Sequence, residues 1–305
     1  MSFHHAPDDK APSERVFIRT TPRYELHGLR RTALALTTTV PTAYTLYGLL
    51  HGRGRLLVAH ERFDLHPEMT ALLNPATRHS LRCRDPEIIR LYLPPALIAD
   101  VAARLRLTRI GQEFTFHQHV VADPRLATLW RSVWEELQQA DVGHDMILDA
   151  LVDQILVHLF RHHFAVRRNL DLEFSRFGFV DRRLRRAIEF IHTHFDGDVR
   201  LKDMARAAFM STFHFARLFK RVVGMTPHAY LMGVRLEQAA RLLRTTDLSM
   251  LEISQRIGYA SQSHFAKAFK AWTGLTPREY RQASCGSPPV ASLPQGPSSS
   301  DLLRP

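Results

Sequence analysis

The chain has 305 residues, 45% of them hydrophobic, enough for two separate cores and too long for one compact domain of ordinary size. Its 41 Lys and Arg exceed its 30 Asp and Glu by 11, which favours an anionic partner, and its two cysteines, Cys83 and Cys285, exclude a disulfide scaffold or a cysteine-rich metal cluster. No apolar run approaches the roughly 20 residues of a membrane span, and the opening Met1-Ser2-Phe3-His4-His5 lacks the blocks of a signal peptide, so the expectation is a soluble, cytoplasmic protein with no membrane partner.

Residues 1–20 carry Pro7, Asp8, Asp9, Lys10 and Pro12 without a hydrophobic period and read as a flexible arm. From about Arg30 to Leu93 come short β-branched and aromatic runs broken by Pro41, Gly52-Arg53-Gly54, Pro67, Pro75 and Pro86. The pattern predicts a hairpin, Thr45 to Leu50 and Arg55 to Ala59 about the glycine turn, then strands at Thr70–Asn74, His79–Arg84 and Ile88–Leu93. Short strands at this spacing predict a sandwich or small barrel.

After Pro94-Pro95 the period turns helical, with Leu97, Val101 and Leu105, then Leu126, Leu129, Trp130, Val133 and Leu137. A further helix is expected from Asp145 to about Ala165. Its wide face of Met146, Ile147, Leu151, Ile155, Leu156, Leu159 and Phe160 either packs on the barrel or meets a second copy in a homodimer. Residues 21–165 thus form one domain and 166–180 a linker. At the far end, residues 283–305 are a Ser-, Pro- and Gly-rich tail expected to stay disordered.

Residues 181–282 hold 18 basic and 9 acidic side chains, nearly all of the net positive charge. They also contain a duplication. Ser211-Thr-Phe-His214-Phe215-Ala-Arg217-Leu-Phe219-Lys220 matches Ser261-Gln-Ser-His264-Phe265-Ala-Lys267-Ala-Phe269-Lys270 at an offset of 50, continuing through Gly224 and Gly274, Thr226 and Thr276, Pro227 and Pro277, and Tyr230 and Tyr280. Upstream the offset is 49, so the second copy's turn holds one more residue, which Gly258 is expected to absorb in a left-handed conformation. Each copy reads as a short helix (Leu201 to Ala208; Leu251 to Ile257), a break, and a second helix started by Ser211 or Ser261 and stopped by Gly-x-Thr-Pro. Phe215, Phe219, Phe265, Phe269 and Trp272 mark the inner faces. Pro227 to Thr245 forms a strut between two helix-turn-helix units, whose second helices enter successive major grooves.

Arg182 to Arg281 resembles the AraC/XylS-type transcription regulators, most specifically through Ile253-x3-Ile257-Gly258-Tyr259 and Phe265-Ala-Lys-Ala-Phe269-Lys270-x3-Gly274-x-Thr276-Pro277-x2-Tyr280-Arg281. The resemblance implies an α+β multidomain fold, an N-terminal cupin-like β-barrel with helices and a C-terminal all-α double helix-turn-helix. Gly52-Arg-Gly54, Phe63-Asp-Leu-His-Pro67 and Asn74-Pro75-x3-His79 resemble such a barrel. Implied base readers are Thr212, Phe213, Ala216 and Arg217 in the first unit and Gln262, Ser263, His264 and Lys267 in the second. Arg217 suits guanine, Gln262 adenine and Phe213 a thymine methyl. Ser211, Lys220, Arg221, Ser261 and Lys270 are placed for phosphates.

The resulting function is a sequence-specific DNA-binding regulator responsive to a small-molecule effector near His79, Arg90 and Tyr92, with RNA polymerase as a further partner if it activates. The alternatives are a cupin-type metalloenzyme fused to a DNA-binding domain, using histidines among His51, His60, His66, His79, His117 and His119, and a ligand-free architectural DNA binder. No nucleophile constellation, phosphate loop or carboxylate pair supports an enzyme, so no catalytic residue, metal ligand or cofactor is assigned.

Overall fold

The computed structural model describes residues 14–39, 42–107, 112–139, 141–168, 179–223 and 225–285. Most of the expected arm (1–13), linker (169–178) and tail (286–305) lies outside them, as does Gly224. Where the described residues reach into these stretches they are ordered elements. Arg15–Thr20 is strand β1, Phe164–Arg168 is β10, and the last helix runs to Cys285.

Two 15-residue strands, β4 (Tyr44–Val58) and β7 (His79–Leu93), organise the N-terminal unit. They run antiparallel throughout, Tyr44 opposite Leu93 and Val58 opposite His79. At one end they are flanked by β2 (Glu25–Arg30) and β6 (Met69–Leu73), extended by β1 and by β9 (Val120–Ala122); at the other by β3 (Ala33–Thr39) and β5 (Glu61–Leu65). The ladder ends on β1 and β9, so the cupin-like unit is an open curved sheet rather than a closed ring.

The expected hairpin at Gly52-Arg53-Gly54 is absent. Gly52 has φ +87°, and a Cβ there would lie 2.4 Å from the Arg84 carbonyl oxygen, so the glycine bends a continuous strand against its neighbour. The opposing kink is at Asp85, φ +47°, just before Pro86 within β7. Two strands expected on either side of Pro86 are therefore also one.

Helices α1 (Pro95–Arg104), α2 (Pro124–Gln139) and α3 (His144–His162) cover one side of the sheet. Trp130 and Trp134 of α2 are buried there, and the Trp130 indole donates to Thr70 Oγ1 at 2.9 Å. Strand β8 (Gln112–Phe116) pairs with β10, stacking Phe116 on Phe164. The broad apolar face of α3 is largely used inside the subunit, since Leu148, Leu151, Val152, Ile155, Leu156 and Leu159 are buried. Met146 remains 79% exposed, with Ile147 beside it also exposed. The helix stops at His162, and Ala165 belongs to β10.

The C-terminal unit is all helical: α4 (Phe179–His194), α5 (Leu201–Ala207), α6 (Thr212–Val223), α7 (Pro227–Thr245), α8 (Met250–Arg256), α9 (Gln262–Thr273) and α10 (Pro277–Cys285). Its buried side chains fall into two groups. Leu184, Ala187, Ile191, Met204, Phe215, Phe219 and Val234 form one around α5 and α6. Phe265, Phe269, Leu275 and Tyr280 belong instead to a cluster continuous with Leu34, Leu36, Leu49 and Ile88 of the sheet. Among the described residues no helix is long and apolar enough to cross a membrane.

Candidate nucleic-acid interface

Each helix-turn-helix unit is a short helix, a tight reversal and a 12-residue second helix, α5–α6 in the first and α8–α9 in the second. The reversals close identically. In the first, Phe209 N–H donates to Arg206 O and Met210 N–H to Ala205 O; in the second, Gly258 donates to Gln255 and Tyr259 to Ser254. Phe209 and Gly258 are thus equivalent, at φ +53° and +74°. The second unit's extra residue is therefore Ala260, which follows the left-handed position, and Gly258 does not absorb it.

The two left-handed residues differ in what surrounds them. A Cβ at Gly258 would lie 2.7 Å from both the Asp196 carbonyl oxygen and the Arg235 guanidinium, which itself donates to Phe195 O and Gly197 O from α7. Phe209 is 70% exposed, with Arg186 over its ring. Gly258→Ala is expected to cost about 2 kcal/mol or more, whereas Phe209→Gly should gain about 0.5–1 kcal/mol by removing left-handed strain. Urea unfolding measures both; shifts of the same sign would contradict the assignment.

The second helices begin alike. Ser211 Oγ accepts from His214 N–H at 3.4 Å and Ser261 Oγ from His264 N–H at 3.2 Å, so both serines are N-caps as the repeat predicts. Phe215, Phe219, Phe265 and Phe269 are buried, which fixes the rotation of α6 and α9. Thr212, Phe213, Arg217, Lys220 and Arg221 on α6, and Gln262, Ser263, His264, Lys267 and Lys270 on α9, consequently all face out; Ala216 is half-buried. Phe213 is 76% exposed, with the Arg217 guanidinium 5.7 Å from its ring centre.

The sheet-facing ends of α9 and α10 meet the N-terminal unit. Arg90 of β7, 1% exposed, donates to the Trp272 carbonyl (3.2 Å), the Thr273 carbonyl (2.7 Å) and His27 Nδ1 (2.7 Å). His27 Nε2 donates to Glu25 at 2.5 Å. Tyr280 of α10 donates to the same carboxylate at 2.9 Å and accepts from Arg244 at 2.8 Å. Burial and the neighbouring Arg90 push His27 down, so it stays neutral; burial raises Glu25, but His27, Arg244 and Tyr280 outweigh it and keep the carboxylate ionised. Arg31 pairs with Glu279 at 2.9 Å further along the contact.

The three expected effector contacts thus lie in and beside this contact. His79 is buried, accepting from Tyr47 and donating to Thr77 O; Tyr92 lies under Arg90 and beside Trp272, which is half-buried between the units rather than in a helical core. Arg90 Nε is buried without a hydrogen-bond partner among the described residues. The His117-x-His119 pair does not converge: His117 is exposed, and His119 packs edge-on against Phe63.

Two signals in the chain pointed to elements that the repeat alone did not assign. Thr276-x-x-Glu279 is a capping box that starts α10, with Glu279 N–H donating to Thr276 Oγ1 and Thr276 N–H to Glu279. Leu184, Ala187 and Ile191, buried at helical spacing, mark α4.

Two family models match: an AraC-like ligand binding domain over residues 37–156 and a helix-turn-helix domain over residues 204–283. An uncharacterized HTH-type transcriptional regulator of Haemophilus influenzae is 36% identical over 125 residues, 41% of each chain. MtrA of Neisseria gonorrhoeae is 30% identical over 46% of each chain, and AlkR of Acinetobacter baylyi is 33% identical over 49% of this chain and 48% of its own. The chain therefore spans less than half the length of these curated relatives. ToxT from Vibrio cholerae O395 shares the fold, with a TM-score of 0.59 over 87% of this chain and 100% of that one, at 11% identity.

Proposed function

Since the chain belongs to the AraC/XylS-type regulators, we propose that it binds specific DNA sequences through α6 and α9 and regulates transcription in response to a small molecule held by its N-terminal unit. The observation that carries the DNA reading is that the two second helices turn every expected base- and phosphate-contacting side chain outward except the half-buried Ala216, with the aromatic pairs of each helix locked inside. Thr212, Phe213, Ala216, Arg217, Gln262, Ser263, His264 and Lys267 read bases; Ser211, Lys220, Arg221, Ser261 and Lys270 hold phosphates.

Selection of duplexes from a random library by the full-length protein tests this. Two short blocks about one helical turn apart are expected; no enrichment at physiological salt would overturn it. On the selected site, Arg217→Ala should cost about 1–3 kcal/mol and relax one base position, while Lys270→Ala should weaken all sequences alike and lower the salt slope by about 1. Unchanged base preference in Arg217→Ala would remove that side chain from the readers.

For the effector, Arg90, His79 and Tyr92 are the contacts. One solved ToxT structure is described as bound to an unsaturated fatty acid. An acidic effector here would meet the unpartnered Arg90 Nε and compete with the Trp272 and Thr273 carbonyls, easing the second unit off the sheet. The protein acts in the cytoplasm as a homodimer, for which exposed Met146 and Ile147 at the start of α3 supply an apolar contact, and engages RNA polymerase where it activates.

A further inference from the structure

We propose that Asp123, His158 and His163 form a binding site for a zinc-class divalent metal ion where the start of α2 meets the end of α3 and β10. Asp123 divides its two oxygens between separate tasks. Oδ1 accepts from the backbone N–H groups of Arg125 (2.9 Å) and Leu126 (3.1 Å), which caps α2. Oδ2 points the other way and lies 2.8 Å from His158 Nε2 and 2.7 Å from His163 Nε2.

The three donor atoms lie within 4.8 Å of one another. In a tetrahedral shell with metal–ligand bonds of about 2.0–2.2 Å, neighbouring ligand atoms are about 3.3–3.6 Å apart, so the two oxygen–nitrogen pairs open by about half to one ångström to admit the ion. The side chains are 12–17% exposed, sheltered enough to hold a desolvated ion and open enough to admit one. Two imidazoles and one carboxylate make an N2O donor set, which suits zinc and its neighbours and not magnesium or calcium, whose sites are built from oxygen. The fourth position falls to water or to His162, whose ring centre is 4.6 Å from that of His158.

His158 and His163 stand 35 and 40 residues from Asp123, so the ion cross-links the first residue before α2 to the end of α3. It would stiffen the end of the ligand-binding unit, just ahead of residues 169–178. This site is separate from the DNA and effector readings and stands or falls without them. The competing description is a carboxylate holding two imidazole N–H groups with no affinity for metal.

Full-length protein stripped with a chelator and titrated with zinc chloride by calorimetry distinguishes the two. One tight equivalent per chain and a raised melting temperature are expected. Cobalt(II) in place of zinc should give the intense visible bands of a four-coordinate ion. Asp123→Asn retains an oxygen for the α2 cap and should lower zinc affinity at least about tenfold, as should His163→Gln if the first variant does not fold. Equal zinc uptake by wild type and a folded variant would overturn the site, since it would mean only diffuse binding by the other histidines. So would the weak spectrum of six-coordinate cobalt.

Discussion

Arg90→Ala is expected to destabilise the folded protein by about 3–5 kcal/mol, the combined cost of leaving buried acceptors without a donor and of the cavity left behind. The guanidinium is 1% exposed, so water does not replace it. Its loss leaves the Trp272 and Thr273 carbonyls and His27 Nδ1 without their donor, and takes the cation from the face of Tyr92, 4.8 Å away. Arg90→Met separates the contributions, because it fills most of the volume and donates nothing. Urea unfolding of both variants should give similar losses; a Met variant within about 1 kcal/mol of wild type would show that packing, not donation, matters at this position. Both should also expose the end of α9 to limited proteolysis.

The second large effect is on acid stability. Burial pushes the His79 imidazole down to about 4, against about 6.5 in an unfolded chain. Between those values the unfolded state binds a proton that the folded state refuses, so stability rises with pH and is lost as pH falls from about 6.5. The loss from this group is about 2 kcal/mol by pH 5 and about 3 kcal/mol by pH 4. His27, also lowered by burial, acts in the same direction. Denaturant unfolding at steps from pH 7 to pH 5 should show the decline, and His79→Gln should flatten it; an unchanged slope in that variant would assign it to other groups.

The helical repeat was legible because its information is local. An offset of 50 between two runs of ten residues, serine caps and a strut beginning at Pro227 are all written within neighbouring turns, and the second helices and the strut fall where the pattern puts them. The sheet was less legible. Glycine and proline punctuate hairpins and bent strands alike, and only the partner strand tells Gly52 apart, through the Arg84 carbonyl that crowds it. The left-handed residue of the first reversal, Phe209, could not be read from residue type, because the Ala205 and Arg206 carbonyls impose it. The contact that Arg90 makes with the second unit could not be read from the chain, because its carbonyl partners lie 182 and 183 residues away, a separation at which periodicity carries no information. The trio at Asp123 is illegible for the same reason, because His158 and His163 stand 35 and 40 residues from their carboxylate.

The continuous cluster that joins the sheet to Phe265, Phe269 and Tyr280 means that the cooperative units of this molecule do not coincide with its sequence domains. The second helix-turn-helix unit shares its buried side chains with the sheet, whereas the first keeps its own around Leu184, Met204 and Phe215. Local opening of the first unit exposes one small core and leaves the rest intact; the second cannot open without unsealing the sheet as well. The two helix-turn-helix units are therefore unequal in rigidity, and the structural seam of the protein runs along the strut.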